Sequence, residues 1–209
     1  MGQYYRPTIM KNDYKVETTL VSYDYDNGSK LMEHSWIGNN FVSAAAVFLS
    51  NGPRRLAWIG DYAELDDFEE LQRKGKPITQ EQFETVIKKV WGPESRDAGP
   101  KHINPIVNMR IGFLINHSTK EFINLANYVE RVKDWQWKVN PLSLLTAVGN
   151  GKGGGDYRDD IYSDAVGDWA FDLIEYKETI TDGELNDFEE LEVFFAEGPR
   201  DAKNAEEVA

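Results

Sequence analysis

"PLSLLTAVGNGKGGGDYRDD", residues 141–160, separates two classes of fold. An apolar run ends at Val148. Five glycines, one lysine and three aspartates then share positions 148–160. Gly149, Gly151 and Gly154 satisfy the spacing G-x-G-x-x-G. In a doubly wound α/β fold that spacing must open a helix, because the helix N-terminus meets a pyrophosphate. The residues that follow, "GDYRDDIYSDAVGDW", carry no apolar helical face. A phosphate-binding P-loop fails as well, since Lys152 precedes Gly153 where Ser or Thr is required. The stretch reads as a bend at the end of a buried segment.

Working outward, strands and helices mix without βαβ alternation. That predicts an α+β fold: a mostly antiparallel sheet with three to four helices packed on it. Residues 2–10 and 14–25 read as an N-terminal hairpin turned at "KND". "DNGS" (26–29) is a turn with positive φ expected at Asn-Gly. Helices are predicted at 39–52 with an Asn cap, at 65–71 with Leu65, Phe68 and Leu71 inward, and at 78–92 with Thr79 and Gln82 as a capping box. Residues 54–62 read as a strand, 108–129 as two strands about Ser118–Lys120, and 134–139 and 167–180 as further strands. Residues 182–198 read as a helix. "ELDDFEEL" (64–71) nearly repeats as "ELNDFEEL" (184–191), read as two independent acidic amphipathic turns. The chain reads as one domain over 1–198, or as two halves divided near 92–106, with a disordered tail at 199–209.

The 209 residues carry a net charge of −13 and no cysteine. Disulfides and thiolate metal sites are excluded. The acidity disfavours direct contact with nucleic acid or anionic lipid and suits a basic partner. No apolar run is long enough to span a membrane, and the first fifteen residues lack a signal-peptide core. A cytoplasmic protein is expected.

The glycine loop has three readings. Gly149, Gly151, Gly153 and Gly154 form an anion nest with Lys152 as a point charge, and Asp156, Tyr157 and Tyr62 beside it. Alternatively Asp156, Asp159 and Asp160, with Asp164, hold Mg²⁺ or Ca²⁺. Or the loop is a surface bend. No cofactor is otherwise expected. The catalytic candidates are His34, Asp61 and His117; no established catalytic motif supports them, and "DYDNGSKLME" misses the calcium-loop register by one. Partner-binding candidates are Asp66, Asp67, Glu69 and Glu70 on one predicted helix, and Asp187, Glu189, Glu190 and Glu192 on another.

"MGQYY", "YDNGSKLMEHSWIGNNFV", "AWIGDYA", "NHSTKEF" and "PLSLLTAVGNGKGGGDY" together resemble a family of small soluble bacterial and phage proteins opening M-G-Q-Y-[YW]. The blocks span residues 1–157. The resemblance transfers no mechanism; it implies a bacterial or phage accessory protein, by analogy one that blocks host machinery. The leading expectation is a non-enzymatic acidic protein, phage-borne, that occupies a basic site on a host protein such as one of a defence system. The second is binding, sequestration or metal-assisted hydrolysis of a small phosphorylated or nucleotide-like ligand at the glycine loop. The third is a homodimer without a ligand.

Overall fold

The computed structural model of the chain describes residues 1–93, 95, 102–134, 138–157 and 165–193. In chain order the elements are β1 (Tyr5–Met10), β2 (Val16–Thr19), α1 (Leu31–His34), α2 (Asn40–Leu49), β3 (Arg54–Gly60), α3 (Leu65–Arg73), α4 (Gln80–Trp91), β4 (Phe113–Asn116), β5 (Glu121–Asn124), α5 (Leu125–Arg131), α6 (Pro141–Leu145), β6 (Ala147–Val148), β7 (Leu173–Lys177) and β8 (Glu189–Glu190). The architecture is α+β, with one sheet ordered β2-β1-β3-β7-β4-β5-β8 and β6 attached to β3. All pairings are antiparallel except β3 with β6 and β5 with β8.

β3 organises the molecule. One of its edges takes β1 along its whole length. The other takes β7 at Arg54 and Arg55, then β6 at Trp58 and Ile59. Strand residues alternate faces. Leu56 and Trp58 enter one apolar cluster with Phe41, Val42 and Leu49 of α2. Ala57 and Ile59 enter a second with Leu71 of α3 and Phe83, Val86 and Val90 of α4. Helices therefore cover both faces of the sheet here, which is why "RRLAWIG" is apolar on both sides past its arginines.

Asn39 caps α2 by accepting from Phe41 N at 2.8 Å, and Thr79 and Gln82 form the expected box on α4. The hairpin is β1–β2. Five expectations are corrected. Positive φ in the 26–29 turn falls on Asp26 (φ 56), not on the Asn-Gly pair. The second strand of 108–129 ends at Asn124, whose side chain caps α5. Residues 167–172 are turns, with Phe171 at φ 64, so the strand starts only at Leu173. Residues 182–187 are turns running into β8, where a helix was expected. Asp67, expected on the outer face of α3, is buried. Of the predicted strand 134–139, residues 135–137 lie outside the described residues; Val139 bridges Trp36. The tail and residues 94 and 96–101 of the long loop also lie outside them. Among the described residues no helix is long and apolar enough to cross a membrane.

Of the predicted helix 182–198, residues 194–198 lie outside the described residues, and 182–193 form none. Glu184 accepts from Thr181 N and its hydroxyl, both at 3.0 Å, and from Lys177, which fixes a turn. Glu189 N then donates to Lys120 O and Leu191 N to Phe122 O. Phe188 packs edge-on against His117 and under the Lys120 ammonium. Sheet-edge pairing and these ring contacts outweigh the helical spacing.

Candidate functional site

The glycine loop is the convergence point of the quoted blocks. α6 is buried, capped by Asn140 (Oδ1 to Leu142 N, 2.9 Å), and begins with proline. β6 follows, and the chain then enters turns without opening a helix up to Tyr157. Gly149 adopts φ 86, and a Cβ there would lie 3.2 Å from the Ala63 backbone. A Cβ on Gly153 would lie 2.8 Å from Gln3 N. These close approaches let other segments dock. Gly2 bridges Gly154, with Gly154 N donating to Met1 O at 3.0 Å. Met32 N donates to Gly155 O at 3.0 Å. Asp61 N donates to Tyr4 O, and Tyr4 N donates back to Asp61 Oδ1, both at 2.9 Å. Thus "MGQYY", "KLMEHS", "GDYA" and "GNGKGGGDY" meet in one place. "NHSTKEF" forms the β4–β5 turn elsewhere.

The loop's anion-binding groups are engaged by the chain itself. Asp156 Oδ2 accepts from Gly151 N and Gly153 N, each at 2.9 Å. Burial pushes the Asp156 carboxyl above its ordinary range, against those N–H groups, which pull it down. Lys152 Nζ reaches Asp66 at 2.5 Å and Asp67 at 2.8 Å. Burial opposes its charge, but the two carboxylates win and hold it above the usual lysine range. Asp67 is itself pushed up by burial. Tyr157 and Asn150 exchange two hydrogen bonds, at 2.8 and 3.0 Å. The Tyr157 hydroxyl donates to Ser143 Oγ. Beneath the loop, the Gln3 carboxamide, the Tyr5 hydroxyl and Asp156 Oδ1 are buried without a well-aligned partner. Burial, then the Asp156 charge, pushes the Tyr5 phenol up.

A cavity of about 340 Å³ opens between α3 and this segment. Asp67 and Leu71 of α3 and Lys74, which caps its C-terminal end, follow i, i+4, i+7 on one side of the helix. That spacing is present in the sequence alongside the apolar stripe Leu65, Phe68 and Leu71. Lys74 on its wall is bound to Asp168 at 2.8 Å and Glu70 at 3.3 Å. A phosphate entering there meets two carboxylates and a lysine already neutralised.

The catalytic candidates do not share partners. His34 is fully buried. Its Nδ1–H donates to Gly28 O and its Nε2 accepts from Trp58 Nε1–H, both at 3.0 Å. Burial lowers its pKa to about 4, so it is a neutral packing residue with both nitrogens used. His117 pairs with Glu175 at 2.9 Å on the β4–β7 side of the sheet. Asp61 holds the Tyr4 backbone, and Tyr62 is half-buried in the same turn. For the metal reading, Asp159, Asp160 and Asp164 lie outside the described residues. Among the described residues no three acidic or histidine side chains are placed to hold a metal.

Of the partner-binding candidates, Asp66, Glu69 and Glu70 are exposed along α3. Asp187, Glu189, Glu190 and Glu192 are not on a helix, and Glu190 and Glu192 pair with Arg131 at 3.6 and 3.4 Å. Sequence reasoning missed the buried set Lys76, Asp172 and Asn116: Lys76 Nζ lies 2.5 Å and Asn116 Nδ2 2.9 Å from Asp172 Oδ2. Nothing in their local spacing announces it, since they lie far apart in the chain. Comparison with protein-family models, with curated proteins and with solved structures finds no match for this chain.

Proposed function

We propose that the chain is a non-enzymatic binding protein whose acidic face, centred on α3, occupies a basic site on a partner protein. The carrying observation is the arrangement of α3. Its buried acid, Asp67, is tied down by Lys152, while Glu69 makes no ion pair among the described residues and stands exposed beside Asp66 and Glu70. The net charge of −13 extends the same sign over the molecule. Like-signed surfaces steer oppositely charged partners and repel phosphate-rich ones. The family resemblance adds an origin to this reading: an accessory protein of phage or bacterial source acting on a host protein, in the cytoplasm.

The test uses fluorescent polylysine as the basic probe. Affinity is expected to fall steeply between low and high salt, and by roughly tenfold in Glu69→Lys/Glu70→Lys. An affinity indifferent to both salt and charge reversal refutes the proposal. In parallel, nucleotides with Mg²⁺ or Ca²⁺ are expected to leave the melting temperature unchanged, because Asp156 and the Asp66–Asp67 pair already occupy the groups a phosphate needs. A saturable rise revives the small-ligand reading.

A further inference from the structure

α3 leaves one apolar side chain stranded. Successive helical residues are separated by about 100°. Leu65 and Leu71 therefore lie about 120° apart on the helix, with Phe68 between them. Phe68 and Leu71 join the core beneath the sheet, and Leu65 is left 50% exposed. It borders an open groove of about 370 Å³ between α3 and α4, whose walls are Ala63, Leu65, Phe83 and Ile87. Phe83 and Ile87 are one turn apart on α4; Phe83 is buried and floors the groove, while Ile87 is partly exposed. Glu64 and Glu84 stand at the margins, with Lys88 at one end. All three are exposed.

Resting on the acidic-face reading, we infer that this groove receives an amphipathic segment of the basic partner: aliphatic side chains enter between Leu65 and Ile87, and lysines or arginines flank them. The walls select apolar atoms. The carboxylates of Glu64 and Glu84 select cations around those atoms. A second copy of this chain is opposed by the repulsion between two molecules each carrying −13. Anionic membranes and nucleic acid are opposed by the same sign. An apolar anchor within a charged rim is the usual arrangement of a protein-docking hot spot.

Two labelled peptides of equal length and charge test this by fluorescence anisotropy: a Leu/Lys amphipathic helix and its Leu→Ser counterpart. The protein is expected to bind the Leu/Lys peptide roughly tenfold more tightly, and Leu65→Ser and Ile87→Ser are expected to abolish that preference. Both positions are at least partly exposed, and circular dichroism verifies that the variants remain folded. Equal binding of the two peptides by the unaltered protein overturns the groove, yet leaves the acidic-face reading standing if both bind in a salt-dependent way. A preference that survives both substitutions also overturns it. Failure of both peptides to bind at low salt removes both readings together.

Discussion

His34 shows how a residue's neighbours settle its chemistry. One ring nitrogen donates to a carbonyl, the other accepts from an indole, and burial keeps the ring neutral. Its folded pKa of about 4 lies below the unfolded value of 6.5. On acidification the unfolded chain takes up this proton first, so stability falls as pH drops from 6.5 toward 4. Asp67 and Asp156 act the other way, because their raised values favour the folded state in acid and that contribution fades as pH rises. Comparison with His34→Gln separates the two. By urea unfolding, the stability advantage of the wild type over the variant is expected to shrink by roughly 2–3 kcal/mol between pH 7 and pH 4.5; parallel curves at the two pH values contradict this. In sequence, "EHSW" offers His34 as a base, with a packed, hydrogen-bonded ring the commoner reading. Its partners, Gly28 and Trp58, come from other segments, and only the fold brings them in. The glycine loop was legible as a loop that launches no helix. That Asp156 would fill its own nest was not, because the reach of a side chain back over five residues depends on where Gly2 and Gln3 dock.

At the scale of elements, the two near-identical octapeptides are a natural control. "ELDDFEEL" forms the start of α3, where Asp67 Oδ2 accepts from Glu64 N at 2.7 Å and Leu71 packs under the sheet. "ELNDFEEL" forms a turn and an edge strand. The sequences differ only at Asp66 and Asn186, so local propensity does not decide between the two structures. Asn186→Asp makes the second copy identical to the first. It is expected to stay non-helical, with unchanged far-ultraviolet circular dichroism and strand-type chemical shifts at Glu189 and Glu190; helical shifts there refute this account. The same contrast explains which elements were legible. α2 and α4 carry caps, stops and apolar faces that agree with their packing, so sequence and structure coincide. Residues 167–172 and 182–193 take shapes imposed by partners distant in the chain, and periodicity alone misreads them.

For the whole molecule, the sheet draws strands from both sides of the 92–105 stretch, and a buried ion pair ties its layers together. Lys76 follows α3, Asp172 precedes β7 and Asn116 closes β4. Lys76 is 5% and Asp172 1% exposed. Lys76→Met leaves an uncompensated buried carboxylate and is expected to destabilise the protein by about 3–5 kcal/mol in urea unfolding. Adding Asp172→Leu is expected to recover much of that loss; additive losses in the double variant count against the pairing. The fold class was readable because the elements alternate irregularly. The strand order was not, since β6 and β7 share one edge of β3. The contact between Met1–Gln3 and Gly154 has a consequence during synthesis. Met1–Gln3 await partners made about 150 positions later. At ribosomal speeds of roughly 5–20 residues per second, the seat for the opening "MGQ" is finished only after on the order of ten seconds or more. Throughout that interval Gln3, buried in the finished fold, lacks its seat against Gly153 and Gly154.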